Sequence, residues 1–593
     1  MAQNPQVDQA RTIARATFDG FLQSDLMPTG MQAPALIWAA AFMVGPSLFL
    51  PAQYLVKYPF IRRFHPERLE RTFWADRMLF LLLSAGAIAV VCVVLWQTLF
   101  PARRDAFVLT PLPVPLRIQM AGRLIGLLAL CVLFAAALNT IPSITFPVVS
   151  STGFLEMPRG IIAHFVSASA ADAFVFFSVT SLQGLVILAA GSRAAGKLAA
   201  VAQAAAVLVV VLALMFIGGI QGLTIDALLR NTPGDPYLLL NPVAWFLGLY
   251  EFLVGSPRPI MGLLAMEAAV AAIVPTAITI AIYAFGYQRL LKRAVETPSR
   301  STRSLLTRAL SRLVRWTVVR RPEEQALCAF MMRAIARSPR HSLLMSIYTG
   351  ASLALMIAFV LPDLIRLGPS AFAVPTMTAL ALPLVLSAGL SVGIRILITI
   401  PAEMPARWIF QTSELTTWRV DAAAHKALLL LVLPPVMLTA ALTAGPLWGW
   451  QLAAVHAIYA ASLALMLCEV LLIGYRGVPL TRPFVPGGSR IHMLWALYIS
   501  VFFTYTLTAA RLERDLYKWF GAEGVLNAAA VFGAIGGAAW AWRKFKLRTV
   551  DAVTFDADIP EDQIFQGFNL SEIQAAQAVA AQGQANGTTR NPV

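Results

Sequence analysis

Apolar runs separated by short polar turns organise this chain from residue 33 to residue 542. They fall at 33–53, 78–100, 122–143, 162–190, 198–219, 262–285, 343–365, 373–394, 427–445, 448–474, 491–510 and 522–542. A helix needs about 20 apolar residues to cross the hydrocarbon core of a bilayer. In lipid a helix satisfies its own backbone, whereas an open strand does not, so each run predicts a helix. The expected fold is an all-α polytopic integral membrane protein with about 12 transmembrane helices. The count becomes 11 if 33–53, which contains Gly45-Pro46 and Pro51, enters and returns on the same side.

Polar segments divide the runs into two sets. Residues 1–30 are polar with a weak apolar face of Ile13, Phe18, Phe21 and Leu22, the pattern of a short cytoplasmic interfacial helix, and they lack the basic-then-apolar order of a cleaved leader. Six runs precede the basic stretch 287–342 and six follow it. Residues 549–593 turn acidic and then Ala/Gln-rich, a composition expected to stay disordered. The expected organisation is an N-terminal segment 1–30, a first transmembrane half 31–286, a basic cytoplasmic linker 287–342, a second half 343–548 and a tail 549–593.

The halves look duplicated. A shift of 303 residues lays runs one, two and three on seven, eight and nine. It also sets Arg104 on Arg407, Phe107 on Phe410, Leu112 on Leu415, Ala121 on Ala424 and Arg123 on Lys426. The identities are few, and twelve helices always divide into six and six, so the spacing of the runs is the better argument. Duplicated halves are common in transporters, with the pathway between the repeats. One place differs. Before run six lies Asn241–Val254, 14 residues and too short to span, which reads as an interfacial or re-entrant helix with Trp245 and Tyr250 at headgroup level. The corresponding stretch before run twelve reads as a loop of about 12 residues.

Composition excludes several classes. The chain is 58% hydrophobic and 13% charged, with a mean hydropathy of +0.70. Soluble domains carry about 25% charged residues, so a water-soluble enzyme is excluded, and so is a disordered chain. The net charge of +16 marks the cytoplasmic side of a membrane protein rather than a nucleic-acid partner. With both termini cytoplasmic, the inside segments hold 29 Lys and Arg, and the outside loops after the second run hold 7. Lys57, Arg62, Arg63, Arg68, Arg71 and Arg77 dissent, since they fall in a loop placed outside. Cys92, Cys131, Cys328 and Cys468 are scattered without a CxxC, which argues against a disulfide framework or a zinc site.

Chemistry is sparse. Gly191-Ser-Arg-Ala-Ala-Gly196-Lys197 imitates a phosphate-binding loop, but Leu198 stands where Ser or Thr would hold magnesium. No polar stretch is long enough for a nucleotide-binding domain. Arg103 to Arg123 carries Pro111, Pro113 and Pro115 at alternate positions, which favours a stiff extended turn with a helix starting after Pro115. The expected product is a rigid elbow with an apolar knob (Leu112, Val114, Leu116) edged by arginines. The simpler reading is an interfacial turn with snorkelling arginines.

Asp105-x6-Leu112-Pro113-x3-Arg117, between the second and third runs, resembles the coupling segment of bacterial ATP-binding-cassette exporter permeases. The amphipathic start, the six runs per half and the short element before run six are similar too. The resemblance implies the membrane subunit of an ATP-driven exporter in a bacterial inner membrane, with no catalysis of its own. ATP and magnesium would be held by a separate cytoplasmic ATPase subunit, in two copies, and membrane lipid would be the other partner. Carried onto this sequence, the docking residues are Arg104, Asp105, Pro111, Leu112, Pro113 and Arg117, with Glu414 and Arg419 in the second half. The chain departs from the family in two ways. Most such permeases have six spans and dimerise, and Thr412–Arg419 contains no proline.

Intramembrane ionisable groups support an alternative, an ion-coupled secondary transporter. Asp172 lies in run four behind His164, Glu267 in run six, and His456 and Glu469 in run ten, and such groups are costly in lipid and often functional. Arg395 ends run eight and is expected to snorkel. A third reading, an integral membrane enzyme acting on lipid, has little behind it: there is no HExxH, and the only aspartates of the longest outside loop, Asp226 and Asp235, are nine residues apart.

Overall fold

The computed structural model describes residues 5–22, 53–96, 98–101, 103–151, 153, 156–189, 195–230, 235–295, 318–400, 402, 407–412, 416–473, 475, 478–481 and 500–548. Among them there is no strand, and 10 helices are long and apolar enough to cross a membrane. The protein is an all-α polytopic membrane protein. Nearly all of 33–53, residues 491–499 of run eleven and the tail 549–593 lie outside the described residues.

The first half contains α1 (Pro5–Leu22), α2 (53–64), α3 (Leu69–Val94), α4 (Arg103–Leu109), α5 (Leu116–Ser150), α6 (Glu156–Ala189), α7 (Ala195–Met215), α8 (Ile217–Arg230), α9 (Pro236–Leu240), α10 (Pro242–Val254) and α11 (Pro259–Val295). The second contains α12 (Pro322–Arg337), α13 (Pro339–Leu367), α14 (Met377–Leu380), α15 (Leu382–Leu397), α16 (Arg407–Thr412), α17 (Thr417–Trp448), α18 (Trp450–Leu472) and α19 (Ala509–Arg548). Each half packs its own core. Leu127, Leu130, Phe176 and Tyr283 share one cluster in the first half, and Val432, Tyr459, Leu463 and Cys468 share one in the second. The halves meet where α7 lies beside α13. Ser346 Oγ donates to Ala200 O at 3.1 Å, and a Cβ on Gly350 would stand 2.4 Å from Ala204 O. Small residues at such a contact let two helix backbones approach.

The bundle has two distinct ends. At one, Gly122 and Gly126 of α5 face Ala10, Ile13, Ala14 and Thr17 of α1. The stepwise match means that α1 runs beside α5 in the same direction, instead of lying flat as 1–30 suggested. Two glycines one turn apart open the groove it occupies. Because α5 begins here, directly after the 110–115 turn, this is called the elbow end. At the far end Arg62 Nη2 donates to Ser150 O, the last residue of α5, at 2.9 Å. The stretch 33–53, on which the choice between 11 and 12 spans depends, lies almost wholly outside the described residues.

The dissenting basic loop is at the far end, and its charges are largely matched there. Lys57 Nζ donates to both oxygens of Asp76 at 2.7 and 2.8 Å. Arg71 pairs with Asp226 at 2.6 Å, Arg258 with Glu70 at 3.0 Å, and Arg77 with Glu251. Helix α3 therefore starts well before run two, because its charged first turns find partners. It also stops at Val94 rather than at residue 100. The carbonyls released beyond its last turn are taken by side chains: Gln183 donates to Trp96 O at 2.6 Å and Tyr283 to Leu99 O at 2.5 Å.

Other runs are also redrawn. The linker expected at 287–342 is partly helical, since α11 continues to Val295 and α12 packs on α17. Run eight is preceded by a 3-10 turn, Gly368–Phe372, and begins with the short α14 before α15. Arg395 does not snorkel: its Nε donates to Leu471 O at 2.7 Å, and the guanidinium lies 4.8 Å from the Tyr475 ring centre. The loop expected before run twelve is helix. Helix α19 is broken only at Gly521, whose φ of 64° suits glycine, so a piece of about 12 residues (509–520) precedes the long one. The first half has the same arrangement. Asn241 caps α10, with Oδ1 accepting from Val243 N at 3.1 Å, and Gly255, φ 94°, ends it before α11 begins. The asymmetry inferred from loop lengths is thus a difference of sequence rather than of architecture.

Candidate functional site

The elbow is built from α4, the turn 110–115 and the first turns of α5. Pro115 sits at the helix N-cap with φ −57° and ψ 140°, the extended geometry that proline favours, and the helix starts at the next residue. Two side chains of α5 reach back and hold the turn. Gln119 Nε2 donates to Val114 O at 3.0 Å and to Leu109 O at 3.3 Å. Arg123, only 6% exposed, donates through Nη1 to Asp105 Oδ2 at 2.6 Å and through Nη2 to Phe100 O at 2.9 Å and Thr98 O at 3.0 Å. One guanidinium therefore ties the stretch that follows α3, the start of α4 and the start of α5. The ring of Tyr283 on α11 stacks on Phe100 at 5.4 Å, which adds α11 to the joint.

Above this joint the elbow presents an apolar crest. Phe107, Val108 and Leu112 are 57, 55 and 47% exposed, and Pro111, Pro113 and Arg117 are exposed around them. Arg104 belongs to α4, and its side chain lies outside the described residues. Asp105, read from sequence as a docking residue, instead faces Arg123 as part of the joint.

The second half places α16 at 407–412, 303 to 304 residues after α4, and starts α17 at 417. Glu414 lies outside the described residues. Arg419 Nη1 donates to both oxygens of Glu323 on α12 at 2.8 Å, so this read docking residue is engaged within the chain. Lys426 pairs with Glu324 at 2.5 Å, and Phe410 meets Phe330 edge-on at 5.2 Å. Helix α12 thus braces this elbow.

The four acidic and basic groups read as a pathway do not converge. Asp172 is fully buried in the first half. Its Oδ2 accepts from Asn139 Nδ2 at 2.7 Å, and both its oxygens lie 2.9 Å from Ser84 Oγ. His164 lies apart from it, between Phe80, Phe146 and Tyr250, with no hydrogen-bond partner for either ring nitrogen among the described residues. Glu267 is half-buried on α11. His456 pairs with Glu513 at 2.7 Å. Glu469, 13 residues further along α18 and so about 20 Å away along the axis, belongs to another cluster. There Arg543, 4% exposed, donates to Glu469 Oε2 at 2.7 Å and to Asp421 Oδ1 at 2.6 Å, with His425 Nδ1 2.6 Å from Glu469.

Sequence reasoning missed Arg543, Asp421, His425, Glu513 and Arg123 as structural centres because they flank apolar runs and count as loop charges. Asp421 and His425 are four apart, one helix turn, and face the same neighbour, which was a readable signal. Among the described residues no group of His, Cys, Asp and Glu could hold a metal. No family model matches the chain, nor does any curated protein or solved structure.

Proposed function

We propose that this protein is the membrane-spanning permease subunit of an ATP-binding-cassette exporter in a bacterial inner membrane. The elbow end would face the cytoplasm, and a separate ATPase subunit would dock there. The first-half elbow carries this reading: an exposed apolar crest fixed to three helices through one buried arginine. A load applied at Leu112 would pass through Gln119 and Arg123 to α3, α5 and α11 rather than bend a loose turn. Further support comes from the second elbow, α16 and the start of α17, on the same end of the bundle. The described chain also begins and ends there, with Arg543, Lys544, Lys546 and Arg548 at its last turns, the side where basic residues collect in inner-membrane proteins. The far-end loop that breaks the charge rule is the one whose cations are largely paired with acids.

The test is an affinity pull-down of the tagged chain from native membranes, with mass spectrometry and an ATPase assay of the eluate. A stoichiometric P-loop ATPase is expected, and Leu112→Asp with Arg117→Glu should lose it. Both side chains are on the surface, where substitutions change stability by only about 0.5 kcal/mol. A lone protein in the eluate, with no ATPase activity, would overturn the reading.

One observation favours ion coupling as the second reading: among the described residues, Asp172 is a buried carboxylate held by the neutral groups of Ser84 and Asn139 alone. Transport driven by a proton gradient without ATP, and abolished by Asp172→Asn, would establish it.

A further inference from the structure

A cavity lies at the elbow end, away from the first-half crest, between the starts of α12 and α17 and the end of α19. It encloses about 290 Å³, and its walls are polar and aromatic. Trp418 and Trp540 supply two indoles, and Arg320, Arg321, Lys426 and Lys544 supply four cations. The two acids in its lining are already engaged: Glu324 pairs with Lys426 and Asp421 with Arg543. Arg320, Arg321 and Lys544 have no carboxylate partner among the described residues. The surplus is concentrated. The Trp418 ring has Arg321, Arg548 and Arg419 with guanidinium carbons 5.1, 5.4 and 5.6 Å from its centre, and among the described residues only Arg419 of the three has a carboxylate, Glu323. Lys544 lies 4.5 Å from the centre of the Trp540 ring. Cations held this close together repel one another unless an anion sits between them.

We propose that this cavity binds the phosphate of an anionic phospholipid headgroup from the leaflet at the elbow end. Three features select that ligand. The unmatched charge is positive, and guanidinium forks suit phosphate oxygens. Trp418, Lys426, Trp540 and Lys544 belong to the terminal turns of the membrane-crossing helices α17 and α19, the level at which tryptophan and basic side chains meet headgroups. The volume admits a headgroup but not a folded domain. Phosphate chemistry has a soluble source as well, a free phosphate ester or inorganic phosphate. The acidic tail that follows Arg548, with Asp551, Asp556 and Asp558, is a competitor of a different class. A lipid is favoured over the tail because the cavity is bordered by aromatic rings on membrane helices.

The experiment uses the full-length protein, stripped of lipid by detergent exchange. It is titrated with phosphatidylglycerol or phosphatidylcholine in mixed micelles, and bound lipid is counted by native mass spectrometry. Phosphatidylglycerol should bind more tightly. Removing one cation should weaken it about fivefold, as Arg321→Gln or Lys544→Gln, and the double variant about thirtyfold. Equal binding of the two lipids, or unchanged binding in the double variant, would overturn the proposal. Inorganic phosphate is titrated in parallel. If it displaces phosphatidylglycerol at comparable concentration, the phosphate site stands and its source is soluble. A chain ending at residue 548 completes the test. If it binds phosphatidylglycerol where the full chain does not, the tail is the occupant and the lipid assignment falls.

Discussion

The two elbow ends share an outline and differ in how they are held. In the first half Arg123 on α5 reaches outward to Asp105 and to the carbonyls of Thr98 and Phe100. In the second half Lys426, its counterpart 303 residues on, turns instead to α12. The buried cation there comes from α19 as Arg543, and α17 supplies the acid, Asp421. The polarity of the joint is reversed. The first arrangement spends its arginine on backbone, so one cation orders a turn and leaves a crest exposed. The second uses carboxylates from two helices, so it locks the helix ends together and leaves the elbow to be braced by α12. A similar layout therefore has one end suited to receiving a partner and one suited to holding the bundle closed.

The sharpest way to break this contrast is at Arg543. Arg543→Met leaves Asp421 and Glu469 facing each other without their cation. Breaking a buried pair by removing one partner costs about 3–5 kcal/mol, and here two acids lose the same cation, Glu469 keeping only His425 beside it among the described residues. The thermal midpoint of the second half should fall accordingly. Adding Asp421→Asn and Glu469→Gln should recover much of the loss, because the penalty is the unpaired charge rather than the missing contact. No recovery would mean that Arg543 acts through packing alone.

Arg123→Met should cost less, about 2 kcal/mol. Asp105 is 32% exposed at its side chain and can return to water, whereas Glu469 at 1% cannot. Its larger consequence is mechanical. The elbow would remain exposed but come loose from α3, so an ATPase subunit should still bind while ATP hydrolysis no longer drives transport. Equal loss of binding and coupling would show that Arg123 only shapes the crest.

How much of this was legible depends on which force decides. Long apolar runs reported the helices because lipid burial depends on composition, and the prolines at 111, 113 and 115 reported the elbow because their effect is local. The start of α3 was missed because Asp76 and Arg77 look like loop residues until Lys57 and Glu251 are beside them. The helix 509–520 was missed because Arg511, Glu513, Arg514, Asp515 and Lys518 make the stretch read as a polar loop, although Glu513 is paired with His456. In both cases a long-range partner made a charge tolerable inside a helix, and hydropathy averaged along the chain does not see it. The same holds for Glu469, whose position in a span was evident while its partners on α17 and α19 were not.

The smallest effect is a chemical one, and it asks whether the two joints fail separately. All four cysteines are buried, two in each half. Cys328 on α12 donates to Ala423 O at 3.2 Å, and burial pushes its thiol up to about 11, with Glu324 adding to the rise and Lys426 opposing it. Because the folded state holds the protonated thiol, its small contribution to stability is complete below the ordinary thiol range, near pH 8.5. It fades as pH rises towards about 11, since the unfolded chain ionises first. At pH 7 only the thiolate reacts, so maleimide labelling of Cys328 should run roughly a hundredfold or more below that of an exposed cysteine. Arg543→Met should release Cys328 and Cys468 to labelling while Cys92 and Cys131 stay protected, and Arg123→Met should do the reverse. Simultaneous exposure of all four in either variant would mean that the α7–α13 contact couples the halves more tightly than their separate cores suggest, and the difference between the joints would then be one of wiring rather than of stability.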